Sequence, residues 1–371
     1  MKNERVKHLV KAALLFILLY LIMFLLFSFL GLSISDTETY MRWDSYLYHS
    51  VAADGFTCYY DDAQANWQGN AGWYFLYPLF AKLLSFIPGL GDITFSGLIV
   101  SAVFLFAYIF ILDKVIGKEE NDSWTSILTI MLFPGWVYLA VFFPMSLCLF
   151  GTVLNLYFMK KEKYTLAGLA GILATASYST GMLVCAADLI YIIQKDAVDD
   201  RSRLKKLPFD AVKSCGLAFS GFILQQILVF LQTGYWNGFF LVQEKYGHGI
   251  HNPFDTLAFF LTESLNTKAV RELGYVNIFV FVYLIVTTVI FIRKKQYKDP
   301  GTAVFYYYAV LVYVFMLVMG KGVWPMRQYL LMSISVVCWK DCSQRTKNVL
   351  LCITSVLSVL TIFMFAAGLR I

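Results

Sequence analysis

The chain is 371 residues long, 59% hydrophobic and 15% charged, with a mean hydropathy of +0.65. Soluble domains are about 45–50% apolar and about 25% charged, so a soluble enzyme, a disordered tail and a nucleic-acid-binding module are excluded. The net charge of +6 then points to basic loops on one side of a membrane, and the 33 Phe and 24 Tyr suit lipid-facing helices and their interfaces.

Residues 12–32 form an apolar run interrupted only by Ser28 and Gly31. At about 1.5 Å per residue it is long enough to cross a hydrocarbon core about 30 Å thick. Lys2, Arg5, Lys7 and Lys11 precede it and no clear small-residue cleavage site follows, which predicts a retained signal anchor. The next run, 73–91, contains Pro78 and Pro88 and is bounded by Gly89 and Gly91. A short span and a helix lying in the interface both fit it. Further apolar runs fall at 93–116, 124–141, 143–159, 166–193, 211–232, 275–293, 302–320, 326–340 and 348–369. Ser177, Ser179, Thr180 and Gly181 break the long 166–193 run, which predicts two short helices that enter and leave on one side. There is no internal repeat and no linker. The expected architecture is one all-α polytopic membrane domain over 1–371, with about nine to eleven transmembrane helices.

Charge orients these runs. With 73–91 not spanning and 166–193 returning to its starting side, 22 of the 30 Lys and Arg fall in cytoplasmic segments, as the positive-inside rule expects. The N-terminus is then cytoplasmic. Residues 31–92 and 233–274 form extracytoplasmic loops, with a short outside turn at 321–325. Cys58 lies in the first of these loops without an evident disulfide partner.

The first loop has an unusual charge pattern. Asp36, Glu38, Asp44, Asp54, Asp61 and Asp62 stand against a single Arg42 between residues 33 and 75. Tyr40, Trp43, Leu47 and Val51 recur at helical spacing, as do Asp44 and Tyr48, which predicts a short amphipathic helix on the outer surface ended by Asp54-Gly55. A carboxylate at the mouth of a membrane cavity can take the proton of an acceptor hydroxyl attacking a sugar C1 carried on a lipid phosphate. A cation can stabilise the departing phosphate. The same residues also fit an interfacial anchor, with Trp43 at the membrane surface and Arg42 paired to a nearby Asp.

The motif Arg42-Trp43-Asp44-Ser45, followed by an aromatic pair and Ala53-Asp54-Gly55-Phe56, resembles the first luminal loop of PIG-V-type mannosyltransferases, members of the GT-C superfamily. Three further stretches resemble that family in the same order. They are Trp73-Tyr74-Phe75-Leu76-Tyr77-Pro78-Leu79-Phe80, the loop Val242-Gln243-Glu244-Lys245-Tyr246-Gly247-His248 with Asn252-Pro253-Phe254, and Met326-Arg327-Gln328-Tyr329. The resemblance implies a GT-C-like bundle that moves a sugar, mannose by analogy, from a polyprenyl-phosphate donor to a glycan, glycolipid or protein acceptor. Asp44 takes the position of the catalytic aspartate, the general base. Arg42, Trp43 and Tyr46 would shape the site, and Gln243, His248 and Tyr329 would contact substrate. Arg327 is the first candidate for the donor phosphate, because guanidinium pairs bidentately with phosphate oxygens; Lys321 is the second. A snorkelling helix-end anchor is the alternative for Arg327. The compact size favours a prokaryotic plasma membrane.

The chain also departs from the family pattern. Phe143-Pro144-Met145-Ser146 stands where relatives carry a Tyr-Ser-Glu-Ser-like stretch, and Tyr178 stands where they carry an Arg before Ser179-Thr180-Gly181. Two polar groups of the family cavity are thereby replaced, which implies another sugar or acceptor, or a catalytically inactive relative that binds. A transporter or lipid flippase is a further alternative, although paired halves with polar midplane residues are not visible.

Other candidates are weaker. Asp61-Asp62 is a possible divalent-cation site, since hard cations take oxygen ligands. His248 and His251 are three residues apart, with glycines on either side. His49 lies one helical turn beyond Asp44-Ser45 and is a possible substrate contact. Asp188 is an acid within an apolar run, expected near the inner end of a short helix where water reaches it. Gln225-Gln226 lies within a span and is expected to bond a neighbouring helix. No Walker A motif, dinucleotide fingerprint or serine elbow supports ATP, NAD or acyl chemistry.

Overall fold

Helix α1 (Lys2–Phe29) shows how the sequence builds this protein. Ala12, Leu15, Leu19, Met23 and Phe27 recur every three or four residues and are at most 1% exposed. On the other side of the same helix, Leu14, Ile17, Leu21 and Leu25 are equally apolar yet 51–61% exposed. A helix that is hydrophobic all round while half of it faces outward has lipid as its second partner.

The computed structural model describes the chain except residues 1, 117–122, 200–205, 264, 266–270, 322–324 and 369–371. Lys118, Arg201, Arg203, Lys205, Lys268 and Arg370, counted above for orientation, and the centre of the turn expected at 321–325 lie outside the described residues. After α1 come α2 (Asp44–Asp54), strands β1 (Cys58–Asp61) and β2 (Asn66–Gly69), α3 (Leu76–Ser85) and α4 (Ile93–Ile116). Helices α5 (Trp124–Met131), α6 (Met145–Lys160), α7 (Tyr164–Thr175) and α8 (Leu183–Asp199) follow. Then come α9 (Leu207–Thr233), with a π turn at Val212–Gly216, and the short α10 (Gly238–Glu244) and α11 (Pro253–Ala258). The chain closes with α12 (Arg271–Arg293), α13 (Pro300–Met319), α14 (Pro325–Met332) and α15 (Gln344–Ala366).

This is a helical, membrane-embedded protein, but the expected span count is too high. Among the described residues, six helices are long and apolar enough to cross a membrane: Val6–Phe29, Ile93–Ile116, Leu207–Thr233, Leu273–Arg293, Pro300–Met319 and Gln344–Ala366. The runs 124–141, 143–159, 166–193 and 326–340 give shorter or broken helices instead. Residues 133–149 and 325–339 are buried without exception, so protein surrounds those runs, whereas α7 and α8 also expose Leu166, Leu169, Leu189 and Ile193. Irregular backbone at membrane depth is tolerated when protein covers it.

The breaks have local causes. Pro134 denies the 124–141 run an amide donor and disfavours helix at the residue before it. Gly135 then turns the chain with φ +91°, and a Cβ there would stand 2.6 Å from the Met326 carbonyl oxygen. The 166–193 run does divide into two helices, α7 and α8, around a turn at Ser179–Met182. The open choice at 73–91 resolves to α3, ten residues long. At about 1.5 Å per residue such a helix rises only about 15 Å and cannot span.

Beyond its expected helix the first loop also carries a hairpin: β1 and β2 pair antiparallel, Tyr59 opposite Gln68 and Tyr60 opposite Trp67. Its aromatic residues favour a pleated ribbon, and Asp61 Oδ1 accepts from the Ala63 and Gln64 amides in the connecting turn. Asp188 is not reached by water. It is fully buried in α8 and accepts a 3.0 Å hydrogen bond from Asn155 Nδ2 of α6. Gln225 bonds the main chain at the start of α3, accepting from the Phe75 amide and donating to the Trp73 carbonyl. Gln226 has no such partner.

Candidate active site around Asp44 and Arg327

Helix α2 begins at Asp44 itself. Trp43 precedes it as the capping residue with φ +44°. A bulky residue there is strained, and such strain persists where surrounding structure holds it. The holding contact is an edge-on packing of Trp43 against Phe365 of α15, with ring centroids 5.8 Å apart. The helix buries Ser45, Tyr48, Val51 and Ala52, so the expected stripe through Tyr40 and Trp43 lies outside it; Tyr40 belongs to a separate turn, Thr37–Tyr40. Gly55 ends α2 as expected, with φ +85° and its amide donating to the Val51 carbonyl. Asn70 braces that end, donating to Ser50 Oγ and the Gly55 carbonyl and accepting from the Thr57 amide.

Asp44 meets Arg327. Arg327 Nη1 of α14 donates to Asp44 Oδ2, forming an ion pair between residues 283 positions apart. The Arg327 side chain is 9% exposed and that of Asp44 26%. The guanidinium carbon lies 5.1 Å from the Phe143 ring centre and 5.8 Å from that of Tyr138. Aromatic faces favour a cation at this range. Tyr48, one turn along α2 from Asp44, packs against Phe143 with centroids 5.3 Å apart. Gln328 Nε2 donates to the Tyr178 hydroxyl at 3.3 Å. Two polar atoms here are buried and unsatisfied: Arg327 Nε and Gln328 Oε1. A buried donor without a partner costs about 1–3 kcal/mol, more when charged, so Arg327 Nε remains open to an acceptor and Gln328 Oε1 to a donor.

The other sequence candidates are placed elsewhere. Arg42 does not pair with Asp44. Its Nη1 donates to the carbonyls of Glu38 and Met41, and its Nε to that of Phe365 at 3.4 Å, tying the loop to the end of α15. Tyr46 donates to Glu38 Oε2 at 3.1 Å, and burial followed by that carboxylate raises its phenol above the usual range. His49 rests 6.0 Å from the Phe142 ring. Tyr329, two residues from Arg327 and so about 200° around the helix, turns away to donate to Asn277 Oδ1 at 2.6 Å.

Gln243 and His248 help join the two outer loops. Gln243 Nε2 donates to the Gly72 carbonyl at 2.7 Å, while its Oε1 meets His248 Nδ1. Lys245 reaches Gln68, and Trp73 packs edge-on against Tyr246. Lys321 lies over the Phe259 ring and lines a separate open cavity of about 540 Å³ with His251, Asn252 and Asp255.

A divalent cation does not fit the residues present. Asp44 is committed to Arg327 and Asp61 to its turn. Among the described residues no group of three or more His, Cys, Asp or Glu could hold a metal ion. His248 and His251 take different partners, Gln243 and the Gly247 carbonyl.

Sequence reasoning missed Gln328 and Tyr138. The signal for Gln328 was available: it adjoins Arg327 in a polar pair set among apolar residues. Tyr138 lies within a run read as a plain span, and nothing local distinguishes it.

The structure thus defines a helical membrane protein with a carboxylate–guanidinium pair formed between the short helices α2 and α14, the guanidinium lying over the Phe143 and Tyr138 rings. No family model, curated protein or solved structure matches the chain.

Proposed function

We propose that the protein is an inverting glycosyltransferase of GT-C type, moving a sugar from a polyprenyl-phosphate donor to an acceptor hydroxyl at the extracytoplasmic membrane face. The observation that supports this reading is the Asp44–Arg327 pair, a carboxylate and a guanidinium in direct contact beside the Phe143 and Tyr138 rings. The acceptor oxygen attacks the sugar C1 on the face opposite the phosphate and its proton passes to Asp44. The bond from C1 to the phosphate oxygen breaks, and its electron pair leaves with the phosphate. The Arg327 cation stabilises that charge through Nη1 and the unsatisfied Nε. One bond forms and one breaks, so the configuration inverts without a covalent enzyme intermediate. No step passes through a metal ion.

Lys2, Arg5, Lys7 and Lys11 ahead of the first span support a cytoplasmic N-terminus and hence an outward-facing site after α1. Mannose is the first sugar to test, because the first-loop motif resembles mannosyltransferases. A second reading, a catalytically inactive relative that binds a glycan, draws support from Tyr178, a phenol held by Gln328 where the resemblance implies an arginine. The deciding experiment incubates purified protein with radiolabelled polyprenyl-phosphate-mannose and a host membrane extract. Label transfer to the extract is the expected result. Donor binding without turnover favours the second reading, and neither binding nor turnover with any polyprenyl-phosphate sugar removes both.

A further inference from the structure

We propose that the Asp44–Arg327 pair is a latch which only an anionic headgroup opens, making Arg327 the residue that selects a phosphate-bearing donor and admits it before the acceptor. The proposal rests on the glycosyltransferase reading and deepens it. Its starting point is a conflict on the page. A carboxylate bonded to a guanidinium is a poor proton acceptor, and a guanidinium bonded to a carboxylate is a poor phosphate receptor. In the structure each group occupies the other. The base is therefore withheld while Arg327 has no other anion.

The pocket also holds the means of release. Arg327 Nε is a buried donor without a partner on a residue 8% exposed. An incoming phosphate oxygen can bond Nε while Nη1 still holds Asp44, then draw the fork onto itself, since guanidinium binds phosphate through two donors. The two partners differ in freedom to part. Phe143 and Tyr138 lie against the guanidinium, whereas Asp44 is the first residue of its helix and about a quarter exposed. Opening the latch moves the carboxylate toward the acceptor side. An uncharged lipid-linked sugar leaves the pair closed.

The test is a double-mutant cycle on binding of polyprenyl monophosphate to the detergent-solubilised full chain, with uncharged polyprenol as the control probe. Wild type, Asp44→Asn, Arg327→Gln and the double variant are compared. Competition for Arg327 predicts that Asn at 44 tightens phosphate binding on the order of tenfold, a usual size for coupling between sites, and that this gain vanishes in the Arg327→Gln background. Polyprenol binding should change in none of them. The double variant, with both charges removed together, guards against a misfolded single variant. The latch is overturned if Asp44→Asn leaves phosphate binding unchanged. It is equally overturned if the gain is as large with Gln at 327, because that is plain charge repulsion. Failure of the wild type to transfer sugar while the cycle behaves as stated removes the glycosyltransferase reading and keeps the latch. Transfer with a flat cycle does the reverse.

Discussion

Arg327 of α14 bonds the carboxylate of Asp44, the first residue of α2, and this contact between residues 283 positions apart joins the first loop to the last third of the chain. Phe365 strengthens the same junction from α15, since its ring packs on Trp43 and its carbonyl accepts from Arg42. Three segments distant in sequence thus converge on one carboxylate.

Replacing Arg327 by Lys keeps the charge and loses the planar fork. One charge-assisted hydrogen bond is worth about 1.5–3 kcal/mol, so the donor KM should rise roughly tenfold or more, with a smaller change in the thermal midpoint. Steady-state kinetics at varied donor concentration checks this. An unchanged KM would separate Arg327 from the phosphate.

Gly135 is required by its surroundings. It holds φ +91°, and its missing Cβ would press on the Met326 carbonyl, one residue from Arg327. Gly135→Ala should cost about 1–3 kcal/mol in backbone strain and lower transfer by displacing α14. Thermal unfolding in detergent, run beside the transfer assay, reads both effects.

The Tyr178 hydroxyl serves Gln328 and does not touch Asp44 through any hydrogen bond among the described residues. Tyr178→Phe should cost about 1 kcal/mol of stability, the worth of one neutral hydrogen bond. Transfer should fall by less than it does for Arg327→Lys. A loss as complete as removal of the base would place the phenol in the chemistry itself.

How far the sequence revealed this arrangement depends on the residue. The glycine stop at Gly55 was legible as a turn-forming residue, whereas Asp44 and Arg327 were singled out by the resemblance of their motifs to a known family. The count of spans was not legible: the run 124–141 is rich in apolar residues like a true span, and only packing shows that protein covers it from residue 133 on. Pro134-Gly135 was the available warning. The backbone partners of Arg42 were not legible, because sequence reports its charge but not the three carbonyls that meet it. The hairpin from Cys58 to Gly69 escaped because its strands are four residues each, too short for alternation to register.

Asp299 gives a pH dependence away from the site. Burial pushes its carboxyl up, but Thr302, Lys340, Lys160 and the Gly301 amide outweigh it, and the net direction is down. A depressed carboxyl contributes stability above its unfolded value, about 3.9, and loses it as pH falls through the folded value. Its side chain caps α13 through the Gly301 amide at 3.0 Å. Asp299→Ala should therefore cost about 0.5–2 kcal/mol at neutral pH, with the charge-dependent part of that penalty shrinking below pH of about 4. Thermal midpoints across pH 3–7 would show the two curves converging; parallel curves would contradict the assignment.

The most direct test of the central claim compares wild type with Asp44→Asn in the polyprenyl-phosphate-mannose transfer assay, on samples with matched thermal midpoints. Asn keeps the shape and removes the proton acceptor. The expected result is transfer by the wild type and none above background by the variant, while both remain folded. Near-wild-type transfer by Asp44→Asn would show that the carboxylate held by Arg327 is not the base.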